Sequence, residues 1–451
     1  MTLKISISGI RGIAGESLTD DVITGFAAAF AQYTDSGTIV IGSDGRFSGT
    51  HIKELVISKL NRNGCKVIDI GIAPTPTVQL SVRSLSASGG IIVTASHNPS
   101  QWNGLKFVRS DGIFLNEKQA QELISIYENL PEQQPQEKEV HGYASETDNG
   151  ALDRHISLVL KKISADRIRQ KKFRVAIDCC NGGGSVIAPR LLKELGCEII
   201  SINTDPGKVP SRGLEPVPAN LSQLCTLVKK FNADIGFAQD PDADRLAIVS
   251  DKGEPIGEEY SLALAVMFVL QKHRESKNKV VVTNLSTSRL TQDVAAMFGA
   301  ETIRTKVGEV NVSEKIKESG SLIGGEGNGG IIWPEIGFGR DSISGIGMIL
   351  DLLSESGKKI SQLSGSFPRY SMIKDKIDLT EGGSASALLA KAEEKFSSAK
   401  IDKTDGIKID LPEGWLHIRA SNTEPIIRII AEGTDPERTK SLIDSVKELA
   451  G

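Results

Sequence analysis

The pattern of hydrophobic and polar positions repeats three times between Thr38 and Gly330. Each repeat begins with an apolar run that opens into a polar loop, followed by a helical pattern and a second apolar run. The helical patterns end at Gly64, Gly196 and Gly299, where a helix C-cap needs a positive φ. Strand–helix–strand order with short links predicts α/β units and largely parallel strand pairing.

A further apolar run closes each repeat and leads into a loop rich in polar side chains. These stretches are Ile91–Pro99, Ile235–Asp244 and Leu322–Gly330. Ligands of such sheets lie beyond the carboxyl ends of the strands. The three loops are therefore the expected places for ligand binding.

The C-terminal part of the chain has a different order of elements. Strands are predicted near Ile373, Lys408 and Trp415, and a closing helix begins at Pro436. Runs of strands with a terminal helix, rather than regular alternation, indicate an α+β domain.

Domain boundaries are expected where polar segments interrupt the pattern, at Pro131–Asn149, near Asp251–Gly253 and near Ser361–Pro368. Repeats of about a hundred residues are domains rather than solenoid units. The predicted domains cover residues 1–147, 148–251, 252–366 and 367–451.

Composition narrows the class of protein. The 451-residue chain has a formal net charge of −4, which gives no general attraction to nucleic acid or anionic membranes. The five Cys are an odd number without a C-x-x-C pair, which indicates reduced thiols rather than disulfides or a zinc site. The N-terminus lacks a signal-peptide pattern, and the apolar run Leu262–Leu270 is short enough for a core helix. We expect a cytoplasmic protein without nucleic-acid or membrane partners.

The loop Thr-Ala-Ser-His-Asn-Pro carries one hydroxyl, Ser96, beside His97, and a further sharp turn at Asn103-Gly104 is followed by the cation Lys106. Ser, Asn and Pro also favour ordinary turns, and the Gly-x-Ser-x-Gly elbow of many hydrolases is absent. Phosphoryl transfer needs positive groups around the transferred oxygens. A nucleophilic Ser96 and a simple polar turn therefore both fit these residues.

A second loop has acidic residues at alternate positions, Asp240, Asp242 and Asp244, followed by Arg245. Alternate side chains of an extended segment point the same way, and converging carboxylates need a cation. An EF-hand would have Gly where Arg245 stands, and hard oxygen ligands suit Mg²⁺. Apolar flanks bury the ends of this loop, which favours a metal site over a solvated acidic turn.

A third loop consists of glycines around Glu326 and Asn328. Paired acceptors and donors on a backbone that a ligand can approach suit sugar hydroxyls. A flexible hinge and a phosphate loop are the alternatives. The phosphate loop is disfavoured because Glu326 is anionic and no Gly-Lys-Ser/Thr ending follows.

A fourth loop contains Arg419, Ser421, Asn422 and Thr423, with Arg428 on the following strand. Hydroxyl, amide and backbone N–H groups form a concave anion site, and Arg offers a bidentate contact. A polar turn between two strands is the alternative interpretation.

In this order, the four motifs resemble those of the α-D-phosphohexomutase superfamily, which includes phosphoglucomutases, phosphomannomutases and phosphoglucosamine mutases. The resemblance extends from the Gly-Ile-Arg-Gly segment at Arg11 to Gly433, and the serine and aspartate motifs are the most specific. It implies four domains around a central cleft, three mixed α/β and a smaller C-terminal α+β domain. A monomer and a homodimer both remain open.

The resemblance also implies a mechanism. Ser96 is phosphorylated, and its phosphate completes a Mg²⁺ shell begun by Asp240, Asp242 and Asp244. Phospho-Ser96 gives its phosphoryl group to a hexose monophosphate. The resulting hexose 1,6-bisphosphate reorients in the cleft and returns its other phosphoryl group to Ser96.

Further roles follow from the same resemblance. Arg11, Lys106 and Arg245 are the basic contacts, and either Lys106 or His97 is the general acid or base. The Glu326 loop binds sugar hydroxyls, and the Arg419 loop holds the phosphate that is not transferred. The last domain is expected to swing on a hinge near Ser361–Pro368.

The sugar is predicted from local differences. Asn328 and Gly330 replace Ser and His of many glucose and mannose enzymes, and the segment Arg304–Glu309 looks more like phosphoglucosamine mutases. Lys306 and Glu309 of that segment are predicted substrate contacts. The carboxylate of Glu309, or that of Glu326, would suit a cationic 2-amino group. Glucosamine phosphate is therefore favoured, with glucose or mannose phosphate as the alternative.

Two rival functions are weaker. A phosphatase or kinase would need an attacking water or a nucleotide site, and no nucleotide fingerprint is visible. A non-catalytic sugar-phosphate sensor could lose Ser96 or a metal aspartate, whereas this chain keeps all of them.

Overall fold

The computed structural model describes residues 3–131, 145–378, 384–412, 414–421 and 426–450. Four sheets in these ranges form the cores of four domains around a central cleft. The predicted boundary segment Pro131–Asn149 lies mostly outside the described residues. The exact domain limits remain a prediction.

Domain I contains, in chain order, β1 (Lys4–Ser6), β2 (Gly9–Ile13), α1 (Asp20–Tyr33), β3 (Thr38–Ser43), α2 (Gly49–Arg62), β4 (Lys66–Ile72), α3 (Thr75–Ser84), β5 (Gly89–Val93), β6 (Trp102–Arg109), α4 (Glu117–Glu128) and β7 (Glu146–Thr147). The sheet order is β1-β2-β6-β5-β3-β4-β7. Strands β5, β3 and β4 are parallel, and β6 runs antiparallel to β5.

Domain II contains α5 (Ala151–Lys162), α6 (Ala165–Lys171), β8 (Arg174–Asp178), α7 (Ala188–Glu194), β9 (Glu198–Ile202), α8 (Ser222–Phe231), β10 (Ile235–Gln239) and β11 (Leu246–Val249), with short 3-10 turns at Gly183–Val186 and Pro218–Asn220. Its sheet order is β11-β10-β8-β9. Only the pairing of β10 with β11 is antiparallel.

Domain III contains α9 (Glu259–Lys272), β12 (Val280–Asn284), α10 (Arg289–Met297), β13 (Glu301–Thr305), α11 (Glu309–Ser319), β14 (Ile323–Glu326), β15 (Gly330–Ile332), α12 (Ser342–Ser356) and α13 (Ile360–Gly365). Its sheet order, β13-β12-β14-β15, repeats the arrangement of domain II. The pairing is again parallel except for the last strand.

Domain IV contains β16 (Ser371–Asp378), α14 (Ala385–Lys395), β17 (Lys400–Asp402), β18 (Ile407–Leu411), β19 (Gly414–Ala420), β20 (Ile426–Gly433) and α15 (Pro436–Ala450). Its antiparallel sheet has the order β16-β20-β19-β18-β17. The predicted α+β character of this part is confirmed.

The threefold repeat is confirmed in detail. The strand orders β6-β5-β3-β4, β11-β10-β8-β9 and β15-β14-β12-β13 are the same topology. The three glycines that end the helical patterns have positive φ, at 84° for Gly64, 68° for Gly196 and 67° for Gly299. Since only glycine adopts this conformation at little cost, these residues end each helix and turn the chain into the next strand.

Domains II and III share one hydrophobic core, whereas domains I and IV have clusters of their own. The predicted core helix α9 lies in the shared core, with Leu262 and Leu270 fully buried. Among the described residues, no helix combines the length and the apolar character that crossing a membrane requires.

The segment expected to be a hinge is mostly a packed helix. Ile360, Leu363 and Phe367 lie at helical spacing and are buried in the core that domains II and III share. The surrounding Ser and Gly residues concealed this spacing in the sequence. Any swing of domain IV would therefore have to take place outside this packed helix.

Candidate active site

The loop after β5 presents Ser96. Its backbone has φ 52°, a left-handed conformation that costs a residue with a side chain roughly 1–2 kcal/mol. The amide of Ser96 donates to Thr94 Oγ1 at 2.9 Å, and its Oγ lies 3.3 Å from Nδ1 of His97. The serine is 2% exposed. Because the conformation is costly, the surrounding contacts have to hold it.

Arg46, which the motifs did not point to, supplies much of that support. Its guanidinium donates to the backbone oxygen of Ser96 and to that of Trp102 at 3.0 Å. Asp44 accepts from Arg46 Nε at 3.0 Å and from Thr94 Oγ1 at 2.6 Å. Burial raises the pKa of Asp44, and the Arg46 charge opposes that rise. The loop after β3 is thus an anchor for the serine loop.

The structure brings together the three aspartates after β10. Asp240, Asp242 and Asp244 are fully buried, and their ligand atoms lie within 4.8 Å of one another. Each has one oxygen without a hydrogen-bond partner among the described residues. Burial, and then the charges of Asp244 and Asp242, raise the pKa of Asp240 well above its usual value. These orphaned oxygens fit a hard divalent cation such as Mg²⁺.

Cations hold the other oxygens of this trio. Lys106 Nζ lies 2.6 Å from Asp242 Oδ2, and Arg340 Nη2 lies 2.5 Å from Asp244 Oδ2. Burial alone would raise the pKa of Asp242, but the Lys106 charge and hydrogen bond hold it well below its ordinary range. The free oxygen of Asp242 is therefore kept as an anionic ligand.

His97 connects the serine loop to the metal loop. Arg245 Nη2 lies 3.4 Å from His97 Nδ1, and Arg245 Nη1 donates to Glu215 Oε1 at 2.9 Å. Glu215, which lies far from both in sequence, is also 3.5 Å from His97 Nε2. Burial, followed by the Arg245 charge, lowers the pKa of His97 to about 4. The imidazole is therefore neutral near pH 7.

A cleft of about 480 Å³ lies between the domains. The predicted residues that line it include Arg11, His97, Arg245, Glu326, Arg419 and Arg428. Arg11 on β2 donates from Nη1 to Asn98 Oδ1 at 3.2 Å, and burial lowers the pKa of its guanidinium. Basic groups from domains I, II and IV thus face one space.

The glycine-rich loop after β14 also reaches this cleft. Glu326 accepts at Oε1 from Asn284 Nδ2 at 2.7 Å and from the Gly308 amide at 3.1 Å. Its Oε2 accepts from Arg340 Nη1 at 2.7 Å. Asn328 Oδ1, by contrast, is buried without a hydrogen-bond partner among the described residues. Asn328 therefore has more acceptor capacity left for a ligand than Glu326 has.

Two predicted substrate contacts do not reach the cleft. Glu309, in the first turn of α11, is 8% exposed and accepts from Arg340 Nε at 3.0 Å. Lys306 is exposed on the preceding loop, and neither residue is among those lining the cleft. The helix directs Glu309 to the buried Arg340, which sequence spacing did not reveal. This geometry gives no support to a substrate contact by either residue.

Domain IV contributes a pair of guanidinium groups. Arg419 on β19 and Arg428 on β20 are direct cross-strand partners. Both arginines line the cleft, so one bound anion could contact both guanidinium groups. Ser421 donates from its amide to Ile426 O at 2.9 Å. Asn422 and Thr423 lie outside the described residues.

Together, the parts around the cleft define the class of the protein. A serine beside a neutral imidazole, a buried carboxylate trio, a polar glycine-rich loop and an arginine pair suit phosphoryl transfer on a phosphorylated polyol. The class is therefore an enzyme that moves phosphoryl groups on sugar phosphates.

Comparison with known proteins agrees with this class. Models of the phosphoglucomutase/phosphomannomutase family match its α/β/α domain I at residues 3–134, domain II at 153–253, domain III at 257–370 and the C-terminal domain at 376–449. The chain belongs to this family of phosphohexomutases.

Individual relatives carry different names. A phosphoglucomutase/phosphomannomutase of Thermococcus kodakarensis is 36% identical over 444 residues, covering 97% of this chain and 96% of the relative. A probable phosphoglucosamine mutase of Methanopyrus kandleri is 34% identical, covering 98% and 96%. The crystal structure of a phosphoglucomutase/phosphomannomutase family protein from Burkholderia thailandensis has a TM-score of 0.83 at 26% identity, covering 99% and 97%. The relatives agree on the family and differ in the sugar that they are named for.

Proposed function

We propose that this phosphohexomutase interconverts glucosamine 6-phosphate and glucosamine 1-phosphate through phospho-Ser96 and a bisphosphorylated sugar. The observation that carries the mechanism is the chain of contacts from Ser96 through His97 and Arg245 to the buried aspartates. The sugar assignment is supported by relatives of 34% identity named as probable phosphoglucosamine mutases.

His97 is the proposed proton carrier for Ser96. When the serine oxygen bonds to phosphorus, its proton leaves, and Nδ1 of His97 lies 3.3 Å away to accept it. In the opposite transfer the Oγ–P bond breaks and the same nitrogen returns the proton to Oγ, while the sugar hydroxyl that bonds to phosphorus gives its own proton to solvent. The sugar oxygen that is released when Ser96 is phosphorylated takes up a proton from solvent in the same way. Lys106 is less suited to this role, because its ammonium already pairs with Asp242 and Asp244 at 2.6 and 3.6 Å.

Charge on the transferring group is offset from several sides. Asp240, Asp242 and Asp244 would hold a cation such as Mg²⁺, which would supply electrostatic stabilisation of the phosphoryl oxygens. Arg245 and Arg11 both line the cleft. The protein's main contribution is then alignment of the sugar hydroxyl with Ser96.

The second phosphate of the substrate is assigned to domain IV. Arg419 and Arg428 lie opposite each other and line the cleft, so one dianionic phosphate can neutralise both guanidinium groups. Because the bisphosphorylated sugar has a phosphate at each end, the same pair can bind either end as the sugar turns over. Asn328 is the proposed acceptor for a sugar hydroxyl.

A direct test compares kcat/KM for glucosamine 6-phosphate, glucose 1-phosphate and mannose 1-phosphate. We expect the highest value for glucosamine 6-phosphate. A higher value for glucose or mannose phosphate would favour the second candidate function, a phosphoglucomutase/phosphomannomutase. The name of the Thermococcus kodakarensis relative supports this candidate. Intact-mass measurement should detect one phosphate on the protein, lost on adding excess monophosphate and absent from Ser96→Ala. A labelled phosphoryl group on Ser96 that does not exchange with substrate phosphate during turnover would contradict the relay.

A further inference from the structure

Glu259 lines the same cleft as Glu326 and Asn328, although no sequence motif pointed to it. It is the first residue of α9 and is partly buried. Its position beside the glycine-rich loop places a further carboxylate where the ring of a bound sugar is expected.

The glycine-rich loop makes room for this carboxylate. A Cβ at Gly327 would lie 1.9 Å from Glu259 Oε2, so any side chain at this position would displace the carboxylate. Glycine at this position therefore lets the Glu259 carboxylate lie directly against the loop backbone. The carboxylate and the loop thus form one continuous wall of the cleft.

Glu259 differs from the other cleft carboxylates in its partners. Each of the other three has a cation within salt-bridge distance: Arg245 for Glu215, Lys374 for Glu258 and Arg340 for Glu326. Glu259 has no such partner among the described residues.

Glu259 also accepts few hydrogen bonds from the described residues. Its one hydrogen bond from the described part of the chain comes from the Ser288 amide to Oε2 at 3.0 Å. Burial raises its pKa to about 8, although the charge of Lys374, which pairs with Glu258, opposes that rise. A ligand that brings a positive charge would supply what this carboxylate lacks.

We propose that Glu259 recognises the protonated 2-amino group of the substrate and thereby determines specificity for amino sugars. The inference rests on the proposed function, since only a glucosamine phosphate offers that ammonium. A charge-assisted hydrogen bond forms between the ammonium and Oε1, while Ser288 keeps Oε2 in place. A hydroxyl at the same carbon can also donate a hydrogen bond to Glu259, but it brings no positive charge.

The test uses Glu259→Gln, which keeps the size of the side chain and an acceptor for the Ser288 amide. We expect kcat/KM for glucosamine 6-phosphate to fall about 10- to 100-fold, while the value for glucose 1-phosphate changes by less than about 3-fold. Glu258→Gln is the matched control, because it removes the neighbouring charge that Lys374 already pairs. Its ratio of the two values should stay as in the wild type.

Glu259→Asp provides a second variant, since it keeps the charge but withdraws it from the sugar; a smaller loss of the same selectivity is expected. Equal losses for both substrates in Glu259→Gln, or an unchanged ratio, would overturn the inference. If wild-type protein uses glucosamine phosphate and the ratio is unchanged in Glu259→Gln, only this inference fails. If wild-type protein uses glucose or mannose phosphate alone, the proposed substrate fails with it.

Discussion

Two residues of the site have a backbone that side chains disfavour. Ser96 has φ 52° and Ala243, within the aspartate loop, has φ 51°. A residue outside the loop donates a hydrogen bond to each backbone carbonyl. Arg46 donates to Ser96 O, and Ser342 Oγ donates to Ala243 O at 2.6 Å. Local strain at both positions therefore depends on contacts made by distant residues, which is common at functional sites.

Ser96→Ala should abolish mutase activity, by roughly 10³-fold or more, because no other group takes its place as phosphoryl carrier. The fold should remain, since Ser96 Oγ contacts only His97 Nδ1 at 3.3 Å among the described residues. A coupled mutase assay and a thermal melt check both expectations. Substantial remaining activity would refute the covalent relay.

Arg46→Met should reduce stability and activity together. Removing the guanidinium leaves Asp44 buried without its cation, which costs about 3 kcal/mol, and releases the backbone of Ser96. Denaturant unfolding and kcat/KM measure the two effects.

The double variant Asp44→Asn with Arg46→Met separates the two consequences. It should recover much of the stability, because the buried charge is gone, but not the activity. If both recovered, Arg46 would have no role in holding the serine loop.

Within single elements, the start of α12 shows how a helix cap becomes a connection between domains. Asp341 caps this helix by accepting from the Ile343 amide at 2.9 Å. Its other oxygen lies 2.9 Å from Nε2 of His155 on α5, and His155 Nδ1 lies 2.9 Å from Thr77 Oγ1 on α3. Three elements of three domains thus meet at one buried polar chain.

Asp341→Asn should keep the cap but remove the charge. Burial would raise the pKa of Asp341, yet the His155 charge and hydrogen bonds lower it below its ordinary value. A lowered folded pKa contributes stability above the unfolded value of about 4, which is lost as the pH falls through the folded pKa. The variant should lose about 3 kcal/mol at pH 7 and show a weaker acid dependence.

Unfolding of wild type and variant between neutral and acid pH measures this difference. The exposed pair of Asp153 and Arg190 provides the control, and Asp153→Asn should change stability by less than about 1 kcal/mol. An identical acid dependence in Asp341→Asn and wild type would contradict the assignment.

Across the whole chain, the aspartate loop is the junction of the first three domains. The Thr75 amide of domain I donates to Asp242 O at 2.9 Å, and the Leu246 amide after the loop donates to Gly329 O of domain III at 3.0 Å. Arg340 of domain III bridges Asp244 and Glu326. A ligand bound by the carboxylates would therefore contact the place where these three domains meet.

Chelation should silence the enzyme, and Mg²⁺ should restore it. Binding to the folded state alone should also raise stability by about 2.7 kcal/mol at a Mg²⁺ concentration of 100 times Kd. Calorimetry and thermal melts with and without EDTA check both effects, and Asp240→Asn should lose the Mg²⁺ response. Activity that chelation leaves unchanged would count against the metal site.

Local patterns in the chain were sufficient for much of this architecture. Apolar periodicity and a terminal glycine specify each strand–helix–strand unit, because these signals act between residues a few positions apart. The alternate spacing of Asp240, Asp242 and Asp244 also indicated a cluster of carboxylates, although they converge at a turn through Ala243 and not along an extended segment. The same locality explains why Ser96 with His97, and the loop of Glu326, stood out.

Long-range packing was needed for the partners of those residues. Arg46, Glu215, Arg340 and Glu259 reach the site from separate loops and elements, and no short-range pattern relates them to it. Packing also directed Glu309 to Arg340 and away from the cleft. A side chain's partner depends on how the sheets dock, and docking is decided by apolar surfaces throughout the domains rather than by the neighbours of one residue.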